Sequence, residues 1–439
     1  MKKNALILAF FMLLSTLGCQ KDVNLKVEDM SAFKNDTNFV NLELAKKIAS
    51  VQAPDGSISG LRGMSTTYTR NSKSILKTTV INPEESQPTF YIFNYDGGGF
   101  AIVSADMRTS PILAYSDNGS FPIGTDIKYP PGLVGWLEST HKNIKYIRKS
   151  NIQQQKLSKL EWNTYQKEKL IQDEKASIKS PEIMKVPDTL TGNEGYYGGP
   201  CHTEGETILI TTELHGPLVN TLWGQGTGYN DLLTFMNCPL YANGKPPVGC
   251  VATAMAQVMK YHQKPTSYSW SLMPNVGSST QIQQLMKDIG ALTFMDYDCD
   301  GSSTTNGKAV SAFRNFLGYT AAETGSYNWM TVRDEIRNNR PVILGGGRQA
   351  KWWIFNVFDD GHSWVCEGYK ERVQFKCFVS DDPRPPVGST GYIWNPDYYY
   401  MYSYMNWGWQ GQYNGWFNSN WNPGTHTFNY LPDMITKIY

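Results

Sequence analysis

The chain has 439 residues, which is long for one domain and enough for two. Hydrophobic residues make up 40% of it and charged residues 18%, so a packed globular core is expected rather than disorder. Its 40 Lys and Arg nearly cancel its 39 Asp and Glu. This balance gives no reason to expect nucleic acid or an anionic surface as a partner.

The N-terminus has the pattern of a signal peptide. Two lysines precede an apolar run from Ala5 to Leu17, which is too short to span a bilayer and has the length of a signal-peptide core. The run ends in Leu17-Gly18-Cys19, which resembles a bacterial lipobox, although Thr16 stands where such motifs usually carry an aliphatic residue.

We therefore expect residues 1–19 to direct export from a bacterial cell, and Cys19 to carry a lipid. Ordinary cleavage near Gly18 is the alternative, which would give a freely secreted protein. No later apolar run is long enough for a membrane helix, so membrane contact is expected only through this lipid anchor.

Residues 20–185 are predicted to form a small α+β domain. Two short strands, 90–94 and 100–104, are joined by a glycine-rich turn, and residues 111–116 continue the strand pattern. Residues 131–174 are charged and helical in pattern. The Pro, Gly, Asn and Asp of residues 180–199 are typical of an exposed linker, which places a domain boundary there.

Residues 186–439 are predicted to form a second α+β domain, with helices first and strands later. After loop-like sequence, a helix begins at Cys250 and ends before Pro265, and further helices lie near residues 281–289 and 331–338. From Pro341 onward most of the pattern favours strands, over residues 341–344, 362–366, 373–379 and 398–405.

The cysteines leave the disulfide pattern open. Setting aside Cys19 and Cys250 leaves five, an odd number. A hairpin turning at residues 370–372 would place Cys366 opposite Cys377, where a cross-strand disulfide and two reduced buried thiols fit equally well.

Cys250 is the first candidate for chemistry. Gly249 allows a sharp backbone turn just before it, and the alanines and methionines that follow favour a helix. Unpaired N–H groups and the helix dipole at such an N-terminus stabilise a thiolate, the nucleophilic form of cysteine. On this segment alone, a small buried cysteine that caps a core helix fits equally well.

His362 is the candidate base for such a nucleophile. It opens an apolar strand directly after Asp359, Asp360 and Gly361, where a polar ring would lie at the exposed end of a buried strand. By itself the segment is also compatible with a strand-end histidine that makes a routine hydrogen bond.

Four ordered blocks resemble the streptopain family of papain-like bacterial cysteine peptidases. GCVATAMAQVMKYH at residues 249–262 is similar to the family's nucleophile helix, and GHSWVCEGY at 361–369 to its histidine strand. NWGWQG at 406–411 matches its Asn-Trp-Gly-Trp-Gly-Gly signature, and WGQ at 223–225 its glutamine loop. Residues 91–106 and 112–117 resemble the family's inhibitory pro-segment, although from sequence alone a folding aid or an adhesion module fits equally well.

The resemblance implies a role for each matching position. Cys250 would be the nucleophile, His362 the general base and acid, and Gln225 would donate to the oxyanion with the Cys250 N–H. Asn406, or the adjoining Trp407, would orient and shield the imidazole. The expected fold is a papain-like domain with a helical part and an antiparallel β part, preceded by a small α+β pro-domain.

Four further residues are assigned to the substrate side: Trp409 would buttress the loop after Asn406, and Gly345, Gly346 and Gly347 would form a wall where the peptide backbone approaches closely. Two departures from the family pattern stand out. Gln410 replaces a glycine in a turn, and residues 380–391 form an insertion before Asn406.

The resemblance predicts a secreted cysteine endopeptidase that is made as a zymogen and acts through a thioester. Its expected partners are protein or peptide substrates and its own pro-domain, and a monomer is expected. No cofactor or metal is expected, since His-Glu-x-x-His and paired Cys-x-x-Cys are absent. The alternatives are a Cys/His cell-wall amidase or transglutaminase-like hydrolase, and a non-catalytic glycan-binding surface protein.

Overall fold

The structure is a computed structural model of the chain. It describes residues 36–52, 73–83, 87–150, 152–154, 158–159, 161–163, 165, 196–197, 207–347, 351–357, 361–380, 389–418 and 433–439, with backbone alone for 196–197, 207–212, 372–380 and 389–400. The predicted signal segment with Cys19, and most of the insertion after Ser380, lie outside these residues. No helix in the described part is long and apolar enough to cross a membrane.

The N-terminal unit, residues 36–165, is a small α+β body. The three strands predicted for it are confirmed, and their side chains are almost all buried. The predicted helix from residue 131 is confirmed but ends at Lys149, where the N–H of Ser150 bonds to Tyr146 O and closes the last turn. Its elements are α1 (Leu42–Gln52), β1 (Ile75–Ile81), β2 (Phe90–Tyr95), β3 (Phe100–Ser104), β4 (Ile112–Ser116), β5 (Lys128–Tyr129) and α2 (Pro131–Lys149).

The C-terminal unit, residues 196–439, packs helices against a sheet, so the α+β prediction is confirmed. Its segment before Cys250, expected to be loop, contains two strands, and a helix that the periodicity did not predict follows the N-cap Thr305. The elements are β6 (Tyr196–Tyr197), β7 (Thr207–His215), α3 (Cys250–His262), α4 (Thr280–Leu292), α5 (Asn306–Asn315), β8 (Glu323–Ser326), α6 (Trp329–Arg337), β9 (Val342–Gly346), β10 (Asn356–Val357), β11 (His362–Ser380), β12 (Ser389–Asn406), β13 (Gly415–Asn418) and β14 (Asp433–Thr436).

One sheet runs through both units in the order β1-β2-β3-β4-β13-β12-β11-β9-β14-β8. The units meet where β4 pairs antiparallel with β13, Tyr115 opposite Trp416 and Ala114 opposite Phe417. The short parallel pair β5–β10 makes a second junction. The two units therefore share backbone hydrogen bonds as well as side-chain contacts.

The hairpin predicted at residues 370–372 is wrong. β11 continues through this segment as one strand, because β7 and β12 pair with it on both sides from Tyr369 to Lys376. Cys366 lies opposite Met405 and is a free, buried thiol, so it does not face Cys377. Within the described residues the disulfide joins Cys238 to Cys299 instead.

The two units also share a hydrophobic core. Trp136 of α2 lies edge-on to Phe417 of β13 at 5.0 Å, and its indole N–H donates to Asn418 O at 3.3 Å. Phe121 meets Tyr413 edge-to-face at 5.0 Å. This continuous apolar contact fixes α2, and its N-terminus, against the C-terminal unit.

A buried ion cluster holds α2 inside the N-terminal unit. Asp106, which is fully buried, accepts two hydrogen bonds from Arg108, at 2.8 and 2.7 Å. Arg148, from the last turn of α2, donates to the same carboxylate at 3.0 Å. A single buried carboxylate therefore pairs with two guanidinium groups, and Arg108 also lies 3.9 Å from the carboxylate of Asp36.

We predict that Asp106→Ala destabilises the protein by about 3–5 kcal/mol, because it removes the buried carboxylate that pairs with both guanidinium groups. The exposed Asp96→Ala is the matched control and should change stability by no more than about 0.5 kcal/mol. Urea unfolding of the two variants and the wild type measures both effects. Equal midpoints for all three proteins would refute the role given to the cluster.

Candidate active site

Cys250 is the first residue of α3, as predicted. Gly249 precedes it with φ 93°, a conformation that L side chains rarely adopt, so the sharp turn is confirmed. A Cβ at Gly249 would lie 2.9 Å from both the Met295 sulfur and Ser302 O. Glycine is therefore required there by both backbone angle and space.

The Cys250 thiol lies between the first turn of α3 and the start of β11. Burial raises its pKa, while hydrogen bonds from the Ser363 backbone, the Val251 and Cys250 N–H groups and the Ser363 hydroxyl oppose that rise. In this state the thiol is favoured over the thiolate. Ser363 was not singled out by the sequence, although it adjoins the predicted base.

His362 begins β11 and is 5% exposed. Its Nε2 lies 2.8 Å from Trp407 O. Because a carbonyl oxygen can only accept, Nε2 carries the hydrogen, and in the neutral ring Nδ1 is the atom free to accept a proton. Burial lowers the pKa of His362 to about 3, with the Trp407 hydrogen bond opposing that shift, so the ring is neutral.

Three tryptophans surround the imidazole. Trp364 stacks on it at 5.8 Å between ring centres, and Trp409 approaches edge-on at 4.8 Å. Trp407 lies at 6.5 Å and packs against Trp364. These rings exclude water from the histidine and hold its plane.

Cys250 and His362 line one cavity of about 360 Å³. Five other residues assigned to the site from sequence line the same cavity: Gln225, Trp409, Gly345, Gly346 and Gly347. Ser363, which the sequence did not single out, lines it as well. Asn406 and Trp407 do not line it, and of these two only the Trp407 carbonyl touches His362.

Asn406 acts on a neighbouring segment rather than on the imidazole. Its amide donates to Thr221 O at 2.9 Å, and its side-chain oxygen accepts the Gly408 N–H at 3.3 Å. It also hydrogen-bonds to the carboxyl of Glu367, which accepts from the Val219 N–H. Asn406 thereby ties the turn that carries Trp407 to β11 and to the segment before Gln225.

Gln410, the departure from the family turn, adopts φ 53°, where the family has glycine. Its side chain lies against Gly224, since a Cβ at Gly224 would be 2.8 Å from the Gln410 Cγ. Its N–H donates to Trp223 O at 3.1 Å. The substitution therefore places an extra side chain directly behind the loop of Gln225.

Residues of the N-terminal unit reach the cavity. Pro131, the first residue of α2, lines it. A Cβ at the next residue, Gly132, would lie 2.6 Å from the ring of Trp364, and one at Gly347 would lie 2.4 Å from the Gly132 nitrogen. The start of α2 therefore packs on the Trp364 ring, which stacks on His362, and it lies in close contact with Gly347 of the glycine wall.

Two family models match this architecture. The model of the Peptidase C10 family matches residues 223–417, and the model described as Spi protease inhibitor matches residues 37–144. The C-terminal unit therefore carries the peptidase domain of this family, the streptopain family. Members of this family are cysteine peptidases, and the second match identifies the N-terminal unit as an inhibitory pro-domain.

Individual proteins that are similar to this chain include other cysteine proteases. Streptopain of Streptococcus pyogenes is 24% identical over 389 residues, which cover 76% of this chain and 74% of streptopain. The thiol protease/hemagglutinin PrtT of Porphyromonas gingivalis is 25% identical over 386 residues, 78% of this chain and 35% of PrtT. A prointerpain A fragment of Prevotella intermedia, with 21% identity and a TM-score of 0.50, covers 83% of this chain and 99% of the fragment.

The chain is therefore a cysteine endopeptidase of papain-like fold, made as a zymogen. The fold of prointerpain A supports the architecture, and the family models support the activity. Neither the amidase or transglutaminase-like alternative nor the glycan-binding alternative is favoured.

We predict that Glu367→Gln changes how stability depends on pH. Burial raises the pKa of Glu367 to about 8 from its ordinary 4.5, against opposing hydrogen bonds from Val219 and Asn406. Between these values the folded protein holds a proton that the unfolded chain has released. The stability due to this group is therefore complete below pH 4.5 and is lost as pH rises through 8.

Glutamine removes this titration, so the urea midpoint of Glu367→Gln should rise relative to wild type between pH 5 and pH 9. The exposed Glu43→Gln on α1 is the control and should keep a constant difference from wild type. A constant difference for Glu367→Gln as well would contradict the prediction.

Proposed function

We propose that Cys250 is the nucleophile of this peptidase and His362 its general base and acid. One observation carries the proposal: both residues line a single cavity, and the Trp407 carbonyl occupies Nε2 of His362 and leaves Nδ1 to accept a proton. Gln225 would donate to the oxyanion together with the Cys250 N–H, the charge-stabilising arrangement that acyl transfer needs. Trp407 acts through its backbone and Asn406 by holding the Trp407 turn.

The reaction is peptide-bond hydrolysis in two steps. Nδ1 of His362 takes the Cys250 proton, and the sulfur attacks the substrate carbonyl to form a tetrahedral oxyanion. The C–N bond breaks as His362 passes the proton to the leaving amine, which leaves a thioester on Cys250. Water then attacks the thioester while neutral His362 accepts its proton. The C–S bond breaks, the carboxylic acid leaves, and His362 returns the proton to the Cys250 sulfur, which completes the cycle.

The substrate wall is proposed to be the glycine segment of β9. Gly345, Gly346 and Gly347 line the cavity without side chains, so a peptide backbone can approach the strand closely. Trp409 packs on His362 at the opposite side of the cavity. We place protein or peptide substrates between these two walls.

The domain limits are part of the proposal: a signal segment at 1–19, the pro-domain at 20–185 and the peptidase domain at 186–439. β7 supports an activating cleavage before Thr207, because this strand pairs with β11 and its Glu213 is bonded to Arg337 of α6 at 2.6 Å. Export from a bacterial cell, as a lipoprotein through Cys19 or as a free protein, rests on the sequence pattern of the signal. We propose that the protein acts as a monomer.

The proposal is tested with the precursor from Gln20 onward, as wild type, Cys250→Ala and Cys366→Ala. Cys366 is the matched control because it is the other free cysteine of the described residues and lies outside the cavity. Under reducing conditions, wild type and Cys366→Ala should lose the pro-domain and digest casein. Cys250→Ala should do neither, with a loss of at least about 1000-fold.

If no protein processes itself, a separate protease that removes the pro-domain is added to all three. Wild type that remains inert without its pro-domain would contradict the proposal. Casein digestion by Cys250→Ala at the wild-type rate would contradict the assignment of the nucleophile.

We predict that Gly132→Leu weakens inhibition by the pro-domain. The added side chain meets the Trp364 ring and must push the start of α2 away from the cavity. Processing should be at least about three-fold faster than in wild type, read from the half-time on a gel. Gly124→Ala is the control, because its Cβ would meet only the Ile127 side chain, at 3.4 Å.

Circular dichroism of Gly132→Leu carrying Cys250→Ala establishes whether the precursor still folds. A folded variant with unchanged processing would contradict the inhibitory role of this contact.

A further inference from the structure

Three residues on adjacent strands form a row across the cleft face of the sheet. Ser363 of β11 lies opposite Gly345 of β9, which lies opposite Asp433 of β14. Side chains of directly opposed residues point to the same face of a sheet. Since the Ser363 hydroxyl is hydrogen-bonded to the Cys250 thiol, this is the face of the sheet on which the nucleophile lies.

Gly345, at the centre of the row, leaves a groove in the surface between Ser363 and Asp433, which we call the trough. It has no side chain, and a Cβ there would lie 2.3 Å from Oδ1 of Asp433 and 2.9 Å from Nδ2 of Asn306. The carboxylate of Asp433 therefore leans over Gly345 and closes the far end of the trough. All three of these residues line the cavity that holds Cys250 and His362.

Asp433 supplies the carboxylate that lines this cavity. Among the described residues that line it, no other Asp or Glu and no Lys or Arg occurs. Asp433 is half-buried, and burial raises its pKa against a single opposing hydrogen bond from Asn306. It forms no ion pair with a described residue: Lys437, directly after β14, is bonded to Glu323 at 2.9 Å, and Lys308 reaches the Phe294 carbonyl.

The distances suit a side chain of the substrate. Asp433 is two strand spacings, about 10 Å, from Ser363. A residue two positions before the scissile bond is displaced by about 7 Å of extended chain, and a lysine or arginine side chain reaches across the rest. Trp409 follows β12 on the other side of β11, so it and Asp433 border opposite sides of His362.

We propose that Asp433 is a specificity-determining residue that selects Lys or Arg two positions before the cleaved bond. The proposal rests on the proposed peptidase function. The trough over Gly345 receives the extended aliphatic part of the side chain, and the carboxylate receives its cation. This preference differs from the apolar one that papain-like clefts commonly show.

The hydrogen bond between Asn306 and Asp433 is also consistent with a purely structural role for the Asp433 carboxylate. It is the first residue of α5, so a negative charge beside it also stabilises the start of that helix. A purely structural Asp433 would affect all substrates equally, whereas a selecting Asp433 affects only the basic ones. The experiment has to separate these effects.

The processed protein is used to digest a peptide library, and mass spectrometry reads the residues around each cleaved bond. Wild type should show Lys and Arg enriched at the second position before the bond, Asp433→Glu should retain the enrichment, and Asp433→Asn should lose it. The preferred sequence is then made with Arg or with citrulline, its uncharged analogue, at that position. Rates are normalised to the Cys250 thiol that iodoacetamide labels.

For wild type, kcat/KM should be about 10- to 100-fold higher with Arg than with citrulline, the range expected for one charge-assisted hydrogen bond. In Asp433→Asn the ratio should fall to about one through loss on the Arg peptide alone. A wild-type profile with no basic preference, or an equal loss on both peptides, would overturn the proposal. Wild type that cleaves no peptide and no casein would instead refute the peptidase function.

Discussion

The register of β11 is the constraint on which the site depends. Its first residues pair His362 with Gly346 and Ser363 with Gly345, and three residues later Val365 pairs with Asn406. A shift by one residue would turn every side chain to the other face. The same pairing therefore places the base at the cavity, brings Ser363 to the Cys250 thiol, and sets the Trp407 carbonyl at Nε2 of His362.

The charge states of Cys250 and His362 in the precursor depend on the groups that bury them. The start of α2 packs on Trp364 and Gly347, and the tryptophans exclude water from His362. Burial raises the pKa of Cys250 and lowers that of His362, so the precursor holds a neutral thiol beside a neutral imidazole. An ion pair between them requires more polar surroundings, which solvent or substrate would supply once the start of α2 no longer lies against the cavity.

The contact between the two units extends well beyond the active-site cleft. β4 pairs with β13, and Trp136 and Phe417 belong to one continuous apolar core. Removal of the pro-domain must therefore expose apolar surface and the edge of β13, in addition to opening the cavity. Inhibition and the folding of the precursor depend on the same interface.

Local signals in the sequence were sufficient for much of this account. Gly249 and the residues after it predict the turn and helix of Cys250, and the apolar strands of the pro-domain follow from their composition. The charged triplet at 370–372 suggested a turn, but pairing of β11 on both sides overrides that local preference. Asp433 and the Trp407 carbonyl carry no local signal, because strand pairing alone brings them to the site.

We propose that the cysteine–histidine pair, neutral in the precursor, becomes charged when the pro-domain leaves. The pH dependence of Cys250 alkylation by iodoacetamide, followed by mass spectrometry before and after processing, tests it most directly. In the precursor, alkylation should begin only above the pH at which an ordinary cysteine thiol ionises, because burial raises the pKa of Cys250, whereas the processed protein should react at a clearly lower pH. Identical profiles in the two forms would contradict the account.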